Sequence, residues 1–267
     1  MSDIIGRHLS LWQVGYAAGT NRDYNMNFSL ATPFDMTESR ENSHLSPEHN
    51  GLVSAVERIV TQRLQGQTAG HGIDHIQRVV RNALQIQADA GGNLLVILLA
   101  AWLHDVGDAK FCDGVERSAQ FSHEILTDLQ VPPFTIEQVV HIVDNISFRK
   151  AVDPAALSHE AHIVQDADRL DALGAIGIVR TIEYGASCGQ PFFDPDSDVA
   201  TSRTGVGHFY QKLFKLVGLL NTSAARRIAH QREQFMRDFL QQYFAECDYH
   251  SRSIVPIESQ PARQDRR

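Results

Sequence analysis

Three stretches of this chain set side chains able to ligate a metal beside apolar helical patterns. The first is His71-Gly-Ile-Asp74-His75. The second is Trp102-Leu-His104-Asp105-Val-Gly-Asp108, and the third is Gln165-Asp166-Ala-Asp168-Arg-Leu-Asp171. Histidine is the commonest metal ligand among side chains, and the chain has 13 of them. His104-Asp105 follows ten apolar residues, Leu94 to Leu103. The pair is therefore delivered at the end of a core helix and is expected to be at least half buried. A buried carboxylate without a partner is costly, so Asp105 requires a cation. The third stretch repeats the problem, with Asp166, Asp168 and Asp171 next to the apolar run Ala172-Leu-Gly-Ala-Ile176. Like charges at that density on a buried helix demand a positive centre. Two imidazoles and two carboxylates make an open set of nitrogen and oxygen donors. Such a set suits Mn, Fe, Co, Ni or Zn, with positions left for water and substrate. Each stretch also has a plainer reading when taken alone, as a satisfied core histidine or a solvated or Arg-paired aspartate.

The elements that must position these residues read as helices. Val53, Val56, Ile59, Val60 and Leu64 form one apolar stripe, and Ile76, Val79, Val80, Ala83 and Leu84 form a second. Gly91-Gly92 stops the second stripe, and Asn93 caps the apolar helix that ends near His104. Further helices are expected at 117–130, 135–147, 158–185, 205–220 and 222–246, with Pro132-Pro133 and Pro154 as separators. No alternating strand pattern of useful length occurs. The expected fold is all-α, a single helical bundle over residues 51–248. Residues 1–50 read as an irregular N-terminal extension and 249–267 as a disordered tail. The loop from Gly185 to Gly207 is long for a compact domain and is a candidate lid over the site. Its Asp194-Pro-Asp196-Ser-Asp198 lacks the glycine and glutamate of a calcium-binding EF-hand loop.

Composition excludes several classes. A net charge of −8 argues against stable nucleic-acid binding, which needs a basic surface, but not against a small phosphate ligand. The longest apolar run is too short to cross a bilayer, which takes about 20 residues. Ser2 to His8 is polar and mixed, so neither a membrane anchor nor an export signal is expected. Three cysteines, Cys112, Cys188 and Cys247, share no metal spacing and suit a reducing, cytoplasmic setting.

Taken together, the motifs resemble those of the HD-domain phosphohydrolases. The phrases that carry the resemblance are Asp74-His75-Ile-Gln-Arg78-Val79, Ala101-Trp-Leu-His104-Asp105-Val-Gly-Asp108-Ala-Lys110 and Val164-Gln-Asp-Ala-Asp168-Arg-Leu-Asp171-Ala-Leu-Gly-Ala-Ile-Gly. The similarity covers roughly residues 68–246 and is strongest to the bacterial YedJ/YpgQ-like branch, taken to be nucleotide pyrophosphohydrolases. It implies His75, His104, Asp105 and Asp168 as ligands of a divalent metal. Mn2+ is the first expectation, with Mg2+, Co2+, Ni2+, Fe2+ or Zn2+ as alternatives. Asp168 is chosen over its neighbours because Ala167 to Leu170 matches the family's Ala-Asp-x-Leu phrase. Asp171, one turn on, could serve as an outer acceptor, and Asp166 points elsewhere. His123, His141, His159 and His162 include no adjacent pair, so one catalytic metal is expected rather than two.

The implied activity is hydrolysis of a small phosphate substrate, first of all a nucleoside triphosphate cleaved to monophosphate and pyrophosphate. Asp108 is the candidate to orient or deprotonate the attacking water, with turn capping as its structural alternative. Lys110 and Arg78 are candidates to hold phosphates, with Arg149-Lys150 as weaker ones. A 5′-nucleotidase, another phosphomonoesterase or phosphodiesterase, and a non-catalytic sensor with the metal as a structural clip are the alternatives. A homodimer is compatible with all of them.

Overall fold

The computed structural model describes residues 45–66, 72–109, 112–146, 153–199 and 201–247. Among them every regular element is helical. The first helix, α1 (Pro47–Arg63), begins ahead of the limit drawn at residue 51. Its start is local chemistry: Ser46 Oγ accepts the His49 N–H at 3.2 Å, and Pro47 occupies a first-turn position where no N–H is missed.

Helix α2 (Ile73–Ala90) buries Ile76, Val79, Val80, Ala83 and Ile86 along one side and ends at Gly91 with φ +75°. Helix α3 (Leu94–Leu103) is capped by Asn93 Oδ1 accepting from Val96 N at 3.3 Å. Every residue from Val96 to Leu103 is buried, so α3 forms the centre of the bundle and is apolar on all sides for that reason. After it in the chain come α4 (Ser118–Asp128), α5 (Pro133–Asn145), α6 (His159–Asp171) and α7 (Gly174–Ser187). Helix α2 packs on both α3 and α6, α4 on α5, and α3 also on α1 and α5. The candidate metal ligands therefore approach one another from the start of α2, the end of α3 and the last turns of α6.

The single long helix expected over 158–185 is two helices. Helix α6 ends at Asp171, and Gly174 turns the chain with φ +73°, a conformation that residues bearing a Cβ rarely adopt. The last carbonyls of α6 accept from the Ala172 and Leu173 N–H groups, and side chains near the helix end add further donors. Arg232 Nη1 donates to Leu170 O at 2.6 Å, and Asn82 Nδ2 donates to Ala167 O at 3.0 Å. A basic group at a helix C-terminus also meets the negative end of the helix dipole.

The helix expected over 205–220 is also divided, into α8 (Gly205–His208), a π turn (Phe209–Leu213), α9 (Phe214–Leu216) and a 3₁₀ turn (Val217–Leu219). The last helix, α10 (Ser223–Glu246), is capped by Thr222 and packs against α7, α6 and α2. The candidate lid does not hang free along its length. Gly205 N donates to Pro191 O and Val206 N to Phe192 O, at 3.1 and 2.8 Å. The Phe192 ring meets Phe209, Phe239 and Tyr243 edge-on. That stretch is part of the wall of the domain, anchored on α10.

Candidate metal centre

His75 sits in the first turn of α2 and is 2% exposed. Its Nδ1 lies 2.7 Å from Asp171 Oδ2. A carboxylate of low pKa only accepts, so the ring proton is on Nδ1 and the lone pair of the neutral ring is on Nε2. His104 closes α3, and its Nδ1 lies 2.9 Å from the Ala101 carbonyl oxygen. The same reasoning leaves its lone pair on Nε2. The two Nε2 atoms are 3.3 Å apart.

Two carboxylates complete the cluster. Asp105 Oδ2 lies 3.5 Å from His75 Nε2 and 3.6 Å from His104 Nε2. Asp168 Oδ1, from α6, lies 3.4 Å from His75 Nε2 and 4.0 Å from His104 Nε2. Ligands bound at about 2.1 Å stand about 3.0–3.4 Å apart at octahedral or tetrahedral angles, close to these separations. Donor atoms of His75, His104 and Asp105 all lie within 4.8 Å of one another, the one such group of three among the described residues. The donors of His75, His104 and Asp105, two imidazole nitrogens and a carboxylate with no thiolate, suit a divalent cation, and Asp168 lies outside that group of three but within 4.0 Å of both imidazoles.

The electrostatics agree. Burial opposes a charge on His75, but hydrogen bonds to Asp105 and Asp171 and the nearby charge of Asp168 outweigh it and raise its pKa to about 9. Without a metal, a proton takes the place of the cation. For Asp171, burial again opposes charge. Hydrogen bonds from His75 and Arg78, together with the charges of His75 and Arg180, hold it down at about 2.

The three aspartates of α6 have separate tasks. Asp166 is fully buried and faces away from the cluster, accepting from Asn221 N at 2.8 Å, Thr222 N at 2.7 Å and Thr222 Oγ1 at 2.8 Å. It ties α6 to the start of α10. Asp168 faces the imidazoles and is 38% exposed. Asp171 supports His75 from behind. Two arginines hold it there: Arg78 Nε to Oδ1 at 2.5 Å, and Arg180 Nη1 to Oδ2 at 2.6 Å. Arg78, a phosphate candidate by sequence, thus has Nε and Nη2 committed to Asp171. Arg180 escaped the sequence reading altogether. It follows a break between helices, so no periodicity connects it to Asp171; an arginine directly after the apolar phrase Gly174-Ala-Ile-Gly-Ile-Val was the only available signal.

Asp108 is buried in the turn after the His104-Asp105 pair, its N–H donating to Asp105 O at 3.2 Å. Gly107 makes that turn possible. A Cβ there would stand 2.6 Å from the Arg117 carbonyl carbon and 2.7 Å from the Phe121 ring. The turn is further fixed by Gly107 N to Ser118 Oγ at 3.1 Å and Arg117 N to Gly107 O at 2.9 Å. His71, Lys110, Arg149 and Lys150 lie outside the described residues. His159 and His162 are spent on main-chain carbonyls, Ala90 O and Pro154 O, at 3.0 and 2.9 Å.

Comparison with known proteins matches this arrangement to a family. The HD domain model matches residues 72–173, the interval that begins just before His75 and ends just after Asp171. YpgQ of Bacillus subtilis is 33% identical over 183 residues, covering 67% of this chain and 85% of that protein. The chain belongs to the HD domain family. Among solved structures, an HD-superfamily hydrolase from Bacillus thuringiensis superposes with a TM-score of 0.65 at 35% identity, over 76% of this chain and all of that one. YpgQ in complex with ADP superposes with a TM-score of 0.63 at 28% identity, over 74% of this chain and 96% of that one. As an HD-superfamily hydrolase, the protein is a metal-dependent phosphohydrolase in the general sense. Its all-helical bundle is the HD fold, and no described helix is long and apolar enough to cross a membrane.

Proposed function

We propose that this HD domain is a Mn2+-dependent pyrophosphohydrolase that cleaves nucleoside triphosphates to monophosphate and pyrophosphate. His75, His104, Asp105 and Asp168 would hold the metal. A divalent cation bound there would lower the pKa of a water and neutralise charge on phosphoryl oxygens. The nitrogen and carboxylate donor set, without thiolate, supports Mn2+ as the first candidate.

Asp108 takes the proton of the attacking water, a task that its place in the turn after Asp105 favours. Water adds to the α-phosphorus, the bond from that phosphorus to the bridging oxygen breaks, and pyrophosphate leaves. Lys110 and the uncommitted face of the Arg78 guanidinium balance charge on the polyphosphate. A triphosphate carries more charge than a monophosphate, so such groups favour it.

The observation that carries the nucleotide reading is the ADP bound by YpgQ, which is similar to this chain over 96% of its own length. The three free cysteines support a reducing, cytoplasmic setting where nucleotides are abundant. The test is turnover of a nucleotide panel with Mn2+ in 18O-labelled water, followed by phosphorus NMR. Pyrophosphate as first product, with the label in the monophosphate, is the expected result. Orthophosphate from a triphosphate would make the protein a phosphatase, and turnover of monophosphates alone a 5′-nucleotidase.

A further inference from the structure

Asp168 and Asp171 stand three residues apart on α6 and bracket one imidazole. Asp168 Oδ1 lies 3.4 Å from His75 Nε2, and Asp171 Oδ2 lies 2.7 Å from Nδ1 of the same ring. The two carboxylates differ in freedom. Asp168 is 38% exposed, whereas Asp171 is 2% exposed and carries two guanidiniums. Arg78 donates to both of its oxygens, at 2.5 and 3.0 Å, and Arg180 donates to Oδ2 at 2.6 Å. A carboxylate held on both oxygens cannot swing toward the cation and compete with Asp168. It can only accept the imidazole Nδ1–H, which turns Nε2 toward His104, Asp105 and Asp168.

We infer that Asp171, clamped by Arg78 and Arg180, is a positioning residue that sets the tautomer and orientation of His75 and so presents its Nε2 to the metal. This rests on the metal-centre reading but not on the choice of substrate. His104 provides an internal contrast, because its Nδ1 is oriented by a main-chain carbonyl, Ala101 O, which no side-chain substitution removes. Losing Asp171 should therefore disturb one of the two histidines and leave the other in place.

The experiment uses the full chain labelled with 15N-histidine and loaded with Zn2+ as a diamagnetic probe. In the wild type, His75 should carry its proton on Nδ1 and bind Zn2+ through Nε2. In Asp171→Asn the His75 resonances should shift or broaden while those of His104 persist. Mn2+ affinity, measured by competition with a fluorescent chelator, should fall about 10–100-fold, the usual cost of losing such an outer partner. Arg180→Gln, which leaves the carboxylate in place but loosens it, should cost less. A wild-type His75 that ligates Zn2+ through Nδ1, or a folded Asp171→Asn with wild-type Mn2+ affinity, overturns the inference. If Asp171→Asn does not fold, the wild-type spectrum decides alone. A wild type that binds no Zn2+ overturns the metal-centre reading and this inference with it.

Discussion

His75 and His104 face each other through Nε2 atoms 3.3 Å apart, while each ring has its Nδ1–H committed elsewhere, to Asp171 and to Ala101 O. Two neutral imidazoles so arranged point lone pairs at one another and at the carboxylates of Asp105 and Asp168. Only a cation relieves this, and it is either a metal or a proton on His75. The predictions below follow from that competition and from the separate tasks of the neighbouring acids.

Metal affinity should rise with pH. The pKa of His75 is raised to about 9 in the metal-free protein, so near neutrality the metal must displace a proton. Apparent affinity should gain about tenfold per pH unit below that value, as linkage to one proton requires. Metal-free stability should run the other way. The contribution of the raised His75 is complete below its unfolded pKa of about 6.5 and is lost as pH rises through the folded value. Thermal midpoints with Mn2+ and with chelator, compared from pH 6.5 upward, should diverge; parallel curves would contradict the competition.

His104→Ala and Asp105→Ala should each drop bound metal well below stoichiometric and reduce phosphohydrolase activity to background. Elemental analysis of the purified variants checks the first outcome. Both residues lie at the end of the buried helix α3, so folding is to be verified by helical circular dichroism.

Asp108→Asn should retain metal and lower kcat by about 10²–10⁴, the range for loss of a general acid or base. Unchanged kcat at saturating substrate would return Asp108 to a purely structural place in the turn beside Gly107.

Asp166→Asn should affect stability and not metal. Its carboxylate accepts from the main chain and side chains of Asn221 and Thr222. Leaving buried donors poorly matched costs about 1–3 kcal/mol, readable in urea unfolding. Metal stoichiometry of the folded variant should equal that of the wild type. A loss of metal without a loss of stability would mean that the roles of Asp166 and Asp168 are reversed.

Much of this was legible before the structure, and the reasons are specific. Ten apolar residues running up to His104 could only be a buried helix; Asn93 marked its start and Gly91-Gly92 the end of the helix before it, each by its capping chemistry. The three aspartates of α6 were harder. At about 100° per residue, Asp168 and Asp171 share a side of the helix and Asp166 does not, but which of the pair faces the cluster depends on tertiary packing. The resemblance to a family chose Asp168. The break after Asp171 was not legible, because a glycine inside a continuing apolar pattern reads as a tolerated helical residue, and only φ +73° at Gly174 reveals the turn. Arg180 was hidden for the same reason, since its route to Asp171 runs across that break. The loop after α7 was read by length alone, which says nothing of the Phe192 contacts that anchor it.

The central claim is that one cation sits among His75, His104, Asp105 and Asp168. Anomalous X-ray diffraction from crystals grown with Mn2+, collected on both sides of the manganese edge, tests it most directly. The account predicts a single strong peak within bonding distance of both Nε2 atoms and of a carboxylate oxygen from Asp105 and from Asp168. A well-ordered crystal with no peak there, or with manganese bound only elsewhere, would contradict it.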